Sequence, residues 1–593
     1  MAPRLRNDFA EVPRTLALVA RTSPRGTVML GLTTLACAVL PIAVAYAGKR
    51  IVDAVVDSNV DAAVRWVVVE LLVVALLALA TRGGGLLRSL IGSRLSVRVN
   101  TLILEKAVTL DLAHFEDPEF YDRMTRARRE ASSRPIAVVT ETFQLLQNAL
   151  TLAGYVALIV HFSGWAVIGL VLAALPATLA ELRFSGEAFR LRNWRAPETR
   201  RLNYLEHVLA TESHAKEVSL FELGPLLLGR YESLGEKLFD EDKRLAVRRA
   251  AWAYVLSLLA SGAFYACYGY LALLAARGEL TLGNLTLYVV AFRQGQLAFQ
   301  SVLTALGSMY EHNLYMSNLF AYLDAEPRTQ AEVGAARTDV HAPGITFEDV
   351  GFRYPGREVW AMRHVSITIP PGQSLALVGQ NGSGKTTFIK LLTRLYAPTE
   401  GRILLDGRDL RDWDEHVLHR RIGVVFQDFN RYQLPLSENV GVGSVPDMDD
   451  QDRIARAIER GGATDLVAGL PQGVATPLGR QFKQEGVELS GGQWQKIALA
   501  RAFMREQADI LVLDEPTAAL DAEAEQAVFE RFRQLAEGRT TILVSHRFPT
   551  VRTAERIVVL ADGTIVESGD HASLLALDGR YATWFRLQAA GYA

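Results

Sequence analysis

At 593 residues the chain is too long for one hydrophobic core, so at least two domains are expected. A formal net charge of −2 argues against nucleic acid as a main partner. The two cysteines, Cys37 and Cys267, both lie in apolar runs, which excludes a disulfide framework or a cysteine-type metal site.

Half the residues are hydrophobic, and they are unevenly placed. A bilayer core about 30 Å thick takes roughly 20 apolar residues as helix. The first half supplies six candidate spans, near 26–48, 62–81, 142–160, 164–181, 250–276 and 280–310. The first follows an Arg-rich N-terminal stretch; it is too long for a signal-peptide core and reads as a retained span. Arginines crowd the segments after the second span (Arg88, Arg94, Arg98, Arg123, Arg126) and after the fourth (Arg190, Arg192, Arg195, Arg200, Arg201). The positive-inside rule then predicts cytoplasmic termini and long cytoplasmic helical extensions. Polar residues recur at helical spacing inside spans: Arg293, Gln296, Gln300 and Thr304 in the sixth, and Gln144, Gln147, Asn148 and Thr151 in the third. They predict a polar-lined substrate cavity with Arg293, Gln296 and Gln300 on its wall, against the alternative of helix–helix hydrogen bonding or an Arg293–Glu70 pair.

Residues 1–324 thus read as an all-α membrane domain. Residues 325–344, with Pro327 and Pro343, read as a linker, and 345–593 as a soluble α/β domain. In the latter, the apolar run Ser374–Val378 reads as a buried strand. It leads into Gly379-Gln380-Asn381-Gly382-Ser383-Gly384-Lys385-Thr386, and Thr387 continues into a helix. This is the strand–loop–helix form of GxxxxGK[ST], whose backbone N–H groups and helix N-terminus cradle phosphates. Lys385 suits the β- and γ-phosphates, and the Thr386 hydroxyl suits Mg2+. A second strand, Ile510–Leu513, ends in Asp514-Glu515: one carboxylate for Mg2+, one to polarise the attacking water. A third, Thr541–Val544, leads to Ser545-His546.

Leu489-Ser490-Gly491-Gly492-Gln493, standing between the phosphate loop and Asp514-Glu515-Pro516-Thr517, resembles the signature of the ATP-binding cassette (ABC) family over Ile345 to about His571. The resemblance implies roles for further residues. Tyr354 looks like the aromatic that stacks on adenine, Gln427 like the glutamine that senses Mg2+ and faces the membrane domain, Asp521 like the acid of the dimer-interface loop, and His546 like the switch histidine. It also implies ATP and Mg2+ as cofactors and a catalytic set of Lys385, Gln427, Glu515 and His546. Each site would be shared between two chains, one giving its phosphate loop and the other Ser490–Gln493. The membrane half is similar to that of fused ABC exporters. Asp117–Arg123 resembles the first coupling helix, with Asp117 as its N-cap, and His214–Gly224 resembles the second. The stretch Gly479–Gly486 departs from the common exporter pattern, with Glu485 standing in for its acid. The expectation is a multi-pass half-transporter of the cell membrane that exports a drug-like, lipid or peptide solute, favouring a homodimer with a heterodimer open. The alternatives are an importer on the same architecture or a regulatory half-subunit.

Overall fold

The computed structural model describes residues 11–117, 120, 124–125, 134–162, 180, 183–184, 186–187, 190–191, 195–325, 344–480, 482, 486–515, 538–545 and 548–590. The expected fourth span, most of 118–123, the linker, Glu485, Asp521 and His546 lie outside them. The chain divides into two compact bodies, 1–108 with 122–325, and 109–121 with 326–593.

The first body is helical. It contains α1 (Val12–Thr22), α2 (Pro24–Val56), α3 (Val60–Val108), α5 (Arg134–Phe162), α6 (Ala196–Ala210), α7 (Glu212–Leu220), α8 (Leu223–Ala276) and α9 (Leu282–Leu323), while α4 (Leu112–Glu116) belongs to the second body. Among the described residues four helices are long and apolar enough to cross a membrane: α2, α3, α5 over Arg134–Val160, and α8. α9, the expected sixth span, forms one 42-residue helix but is not among the four. α3 has 49 residues and α8 has 54. At about 1.5 Å per residue each far exceeds a bilayer core of about 30 Å, so the spans extend well beyond it. Leu71, Leu72 and Leu79 of α3 are exposed, the surface a lipid-facing helix presents. Ion pairs join these helices. Arg14 of α1 grips Asp324 with two hydrogen bonds of 2.6 Å, and buried Arg195 bonds Glu241 and Asp242 of α8 at 2.8 and 2.9 Å.

The second body holds two sheets. In the antiparallel one the order is β2 (Met362–Ile369), β1 (Ile345–Phe352), β4 (Glu400–Leu405), β5 (Arg408–Asp409). In the other it is β10 (Thr564–Gly569), β9 (Arg556–Ala561), β3 (Ser374–Val378), β8 (Thr540–Val544), β7 (Ile510–Asp514), β6 (Ile422–Val425). All neighbours in the second sheet are parallel except β10 and β9. Strands β7 and β8 are buried at every position, as the apolar runs Ile510–Leu513 and Ile542–Val544 require in a parallel sheet covered on both faces. Phe388 of α10 (Lys385–Leu392) stacks on Phe347 of β1 with centroids 4.2 Å apart, joining the two sheets through one core. The parallel order puts the C-terminal ends of β3, β8 and β7 side by side, where such sheets bind ligands.

Candidate nucleotide site

The phosphate loop leaves β3 and enters α10 through Gly384, which caps the helix at φ +105°. A Cβ there would meet the Ala361 carbonyl at 3.1 Å, so both the dihedral and the space call for glycine. Gly382 at φ +81° turns the loop one step earlier. Lys385 is buried, and its ammonium donates to the carbonyls of Gly379 (2.8 Å) and Gln380 (3.0 Å). Burial holds its pKa below the ordinary lysine value, against the pull of Glu515 and Asp514. Ser383 Oγ is buried with no hydrogen-bond partner among the described residues, an orphaned polar atom in a loop built to meet oxygens.

Asp514 ends β7 two strands from β3, almost fully buried. Burial, then the charge of Glu515, pushes its carboxyl up to about 6; Lys385 and a hydrogen bond from Thr386 pull the other way. Glu515 follows at φ +47°, a left-handed conformation for a non-glycine residue, with its N–H on Val544 O at 3.0 Å. Such backbone costs about 1–3 kcal/mol and persists where the surroundings impose it, often at functional sites. Gln427 Nε2 donates to Glu515 Oε2 at 2.8 Å. Lys385, Thr386, Gln427, Asp514 and Glu515, read separately from the sequence, therefore converge on one place.

A cavity of about 840 Å3 opens there, lined by the phosphate loop, Thr386, Thr387, Gln427 and Glu515 on one side and by Tyr354 and Trp360 on the other. Tyr354 Oη lies 3.2 Å from Thr387 Oγ1, and its ring packs edge-on to Phe352 and Tyr396. The β1–β2 connection adds Arg357, Val359, Trp360 and Ala361, which sequence reasoning missed. Its sole signal was the Tyr354-Pro355-Gly356 turn, which brings the return strand back over the loop. Trp360 carries the guanidiniums of Arg353 and Arg363, each 4.4 Å from its ring centre.

Ser490 lies elsewhere. It caps the helix Gly491–Phe503, accepting from Gln493 N (3.3 Å) while Gln493 Oε1 accepts from Ser490 N (2.8 Å). Ser490 is exposed, whereas Trp494, Ile497 and Ala498 of the same helix are buried in the core beneath it. Ser490, Gly491, Gly492 and Gln493 do not line the cavity.

Residues 109–121 belong to this body. Leu112 and Ala113 pack on the core, and Glu116 accepts from Lys390 Nζ (2.9 Å) and Tyr396 Oη (2.5 Å). Asp117 follows the end of α4, its N–H on Ala113 O at 3.1 Å, with extended backbone. The other expected coupling segment forms α7, followed by a break at Glu222 (φ +52°), with Leu220 and Phe221 exposed. In the membrane body, Gln300 and Thr304 line a cavity with Gln144, while Arg293 is exposed and neither it nor Gln296 lines that cavity. Thr151 serves packing, donating to Ala38 O of α2 at 3.2 Å.

The ABC transporter family model matches residues 362–518. The subtilin transport ATP-binding protein SpaT of Bacillus subtilis is 32% identical over 480 residues, covering 81% of this chain and 77% of that protein. The chain is an ABC exporter half-transporter. The nisin transport ATP-binding protein NisT of Lactococcus lactis is 27% identical over 574 residues, covering 95% of this chain and 94% of its own. An ATP-dependent lipid A-core flippase of Cupriavidus metallidurans is 34% identical over 508 residues, covering 80% and 82%. The solved structure of a bacterial Atm1-family ABC exporter with ATP bound shares the fold at a TM-score of 0.75 and 24% identity, covering 97% of this chain and 99% of that one. This ABC exporter is therefore an integral multi-pass membrane protein that couples ATP hydrolysis to transport, and as a half-transporter it works with a partner chain.

Proposed function

We propose that two copies of this chain form a homodimeric exporter, with six spans per chain and with termini and ATPase bodies in the cytoplasm. The observation that carries the catalytic part is the convergence of Lys385, Thr386, Gln427 and Glu515 on one cavity, with buried Asp514 beside Glu515, Lys385 and Thr386. Adenine stacks on Tyr354, and the phosphates lie in the Gly379–Thr386 loop beside Lys385. Thr386, Gln427 and Asp514 are the oxygen donors that would hold Mg2+. The fit is chemical: a hard cation takes oxygen ligands, and the Thr386 hydroxyl, the Gln427 amide and the buried Asp514 carboxyl offer them. When bound, Mg2+ neutralises charge building on the β- and γ-oxygens.

Glu515 takes the proton of the attacking water, held in position by Gln427, and His546, two residues beyond β8, contacts the γ-phosphate. Ser490–Gln493 of the second copy completes the site, because an exposed helix N-terminus supplies backbone donors to an anion. Asp521 belongs to the same interface. Movement of the ATPase bodies reaches the spans through 109–121 and α7. The relatives named for subtilin and nisin transport and the lipid A-core flippases support a peptide or lipid solute. Arg293, Gln296 and Gln300 stay assigned to the solute path, Gln300 with the support of the cavity it lines. Reconstituted vesicles test the proposal. ATP should drive a solute away from the ATPase side, and Glu515→Gln should abolish this; transport surviving that change would refute it.

A further inference from the structure

In the membrane body α5 and α9 run antiparallel. Thr142 Oγ1 lies 4.0 Å from Met309 Sδ near the start of α5, and Tyr155 and Ile159 pack with Leu287 and Ala291 near its end. Between these helices lies a cavity of about 310 Å3, lined by Glu141, Gln144, Gln300, Ser301 and Thr304 among others. The helical spacing explains the lining: 141 and 144 share one face of α5, and 300, 301 and 304 one face of α9.

Glu141 belongs to the candidate membrane span Arg134–Val160 and immediately precedes its uncharged run, which begins at Thr142. It is half-buried and makes no hydrogen bond or ion pair among the described residues. A carboxyl in a membrane helix is expensive and is kept where it faces a cavity or a partner. Here it faces a cavity whose other polar groups are two amides and two hydroxyls, and no Lys or Arg lines it. That set offers acceptors around one negative charge. An ammonium group, with three donors and no acceptor, matches it. The volume is at the small end of ligand sites, roughly 300–1,000 Å3, and suits a side-chain-sized group of a larger solute. The cavity is open on one side, since Gln144 and Thr304 are exposed.

We infer that this cavity binds the primary ammonium group of a cationic solute, with Glu141 as its counter-ion. The inference rests on the exporter reading and narrows its substrate class. Monodansylcadaverine, which carries a primary ammonium, and its N-acetylated neutral form probe the site by dansyl fluorescence on the full-length protein in nanodiscs without ATP. The wild type should bind the charged probe about 10–100-fold more tightly than the neutral one, the range of a charge-assisted hydrogen-bonded contact. Glu141→Gln should erase that ratio by weakening only the charged probe, and Glu141→Asp should retain most of it. Each ratio is taken within one preparation, so an unfolded fraction cancels. Equal binding of the two probes by the wild type, or an equal change for both in Glu141→Gln, would overturn the inference. Because no ATP is present, failure of ATP-driven transport would count against the exporter reading and leave this result standing.

Discussion

The link between residues 109–121 and the nucleotide cavity makes a quantitative prediction. Glu116 joins Lys390 and Tyr396, and Lys390 Nζ sits 5.3 Å from the ring centre of Tyr354, which lines the cavity. The Glu116 side chain is 41% exposed and that of Lys390 22%, so solvent screens the ion pair to about 0.5–1 kcal/mol. The bond from Tyr396 to a carboxylate adds about 1.5 kcal/mol. Removing both with Glu116→Ala should therefore loosen this contact by about 2 kcal/mol, roughly 30-fold in its equilibrium. Burial works against the charged form of Glu116, but the hydrogen bonds from Lys390 and Tyr396 outweigh it and hold its pKa below the ordinary range, while burial and Glu116 raise that of Tyr396. Both groups thus keep their working protonation from pH 6 to 9, and the effect should be flat over that range. The contribution of Glu116 is present above the ordinary carboxylate range and is lost only as pH falls through its lowered pKa. The assay is ATPase in nanodiscs with and without a stimulating solute. Glu116→Ala should cut the solute-stimulated increment several-fold and raise KM for ATP. Basal kcat should change less, since Lys385, Asp514 and Glu515 are untouched. Combined with Tyr396→Phe, the effects should be less than additive by about 1 kcal/mol. Strict additivity, or full stimulation in Glu116→Ala, would refute the link.

Other changes separate the roles around the cavity. Asp514→Asn should abolish ATPase yet raise the thermal midpoint of the nucleotide-free protein at pH 7.5. Ionised Asp514 is disfavoured from 3.8 to about 6, on the order of 3 kcal/mol at about 1.4 kcal/mol per pH unit, and an amide removes that cost. The sign follows from linkage: a raised carboxyl stabilises the fold in its protonated form, and that stability is lost as pH rises through about 6. A lower midpoint for Asp514→Asn would contradict the reading. Tyr354→Ala should raise KM for ATP about 5–100-fold, the range of one base–aromatic stack of about 1–3 kcal/mol. Trp360→Ala should do less, because that ring is already engaged by Arg353 and Arg363; equal KM shifts would count against adenine lying on Tyr354.

The sequence disclosed what is local. Glycine at 382 and 384, a buried strand before them and a helix after them define the phosphate loop without tertiary information, and the strand, turn and helix are all found. Ser490 with Gln493 three positions on is a capping box, so the helix start was legible as well. Residues that become neighbours only through packing were not legible. Trp360 faces the loop because β2 folds back on β1, and nothing in its immediate sequence marks it. Glu116 precedes the segment whose pattern drew attention, and its partners Lys390 and Tyr396 are some 270 residues away. Glu141 drew no notice in the sequence; only the packing of α5 against α9 shows that it lines a cavity with Gln300 and Thr304. Arg293 was the opposite case: its polar neighbours share a helical face with it, but helix packing decides which of them line the cavity.

The central claim is that each ATP site is shared by two chains, Lys385 of one with Ser490 of the other. Two copies fused in one polypeptide test it directly by ATPase turnover. With Lys385→Ala in one copy and Ser490→Arg in the other, both changes fall in the same shared site; the second site stays intact and turnover should persist. With both changes in one copy, each shared site is damaged and turnover should vanish. Turnover in the second arrangement and none in the first would mean that each chain holds a complete site of its own, and would contradict the account.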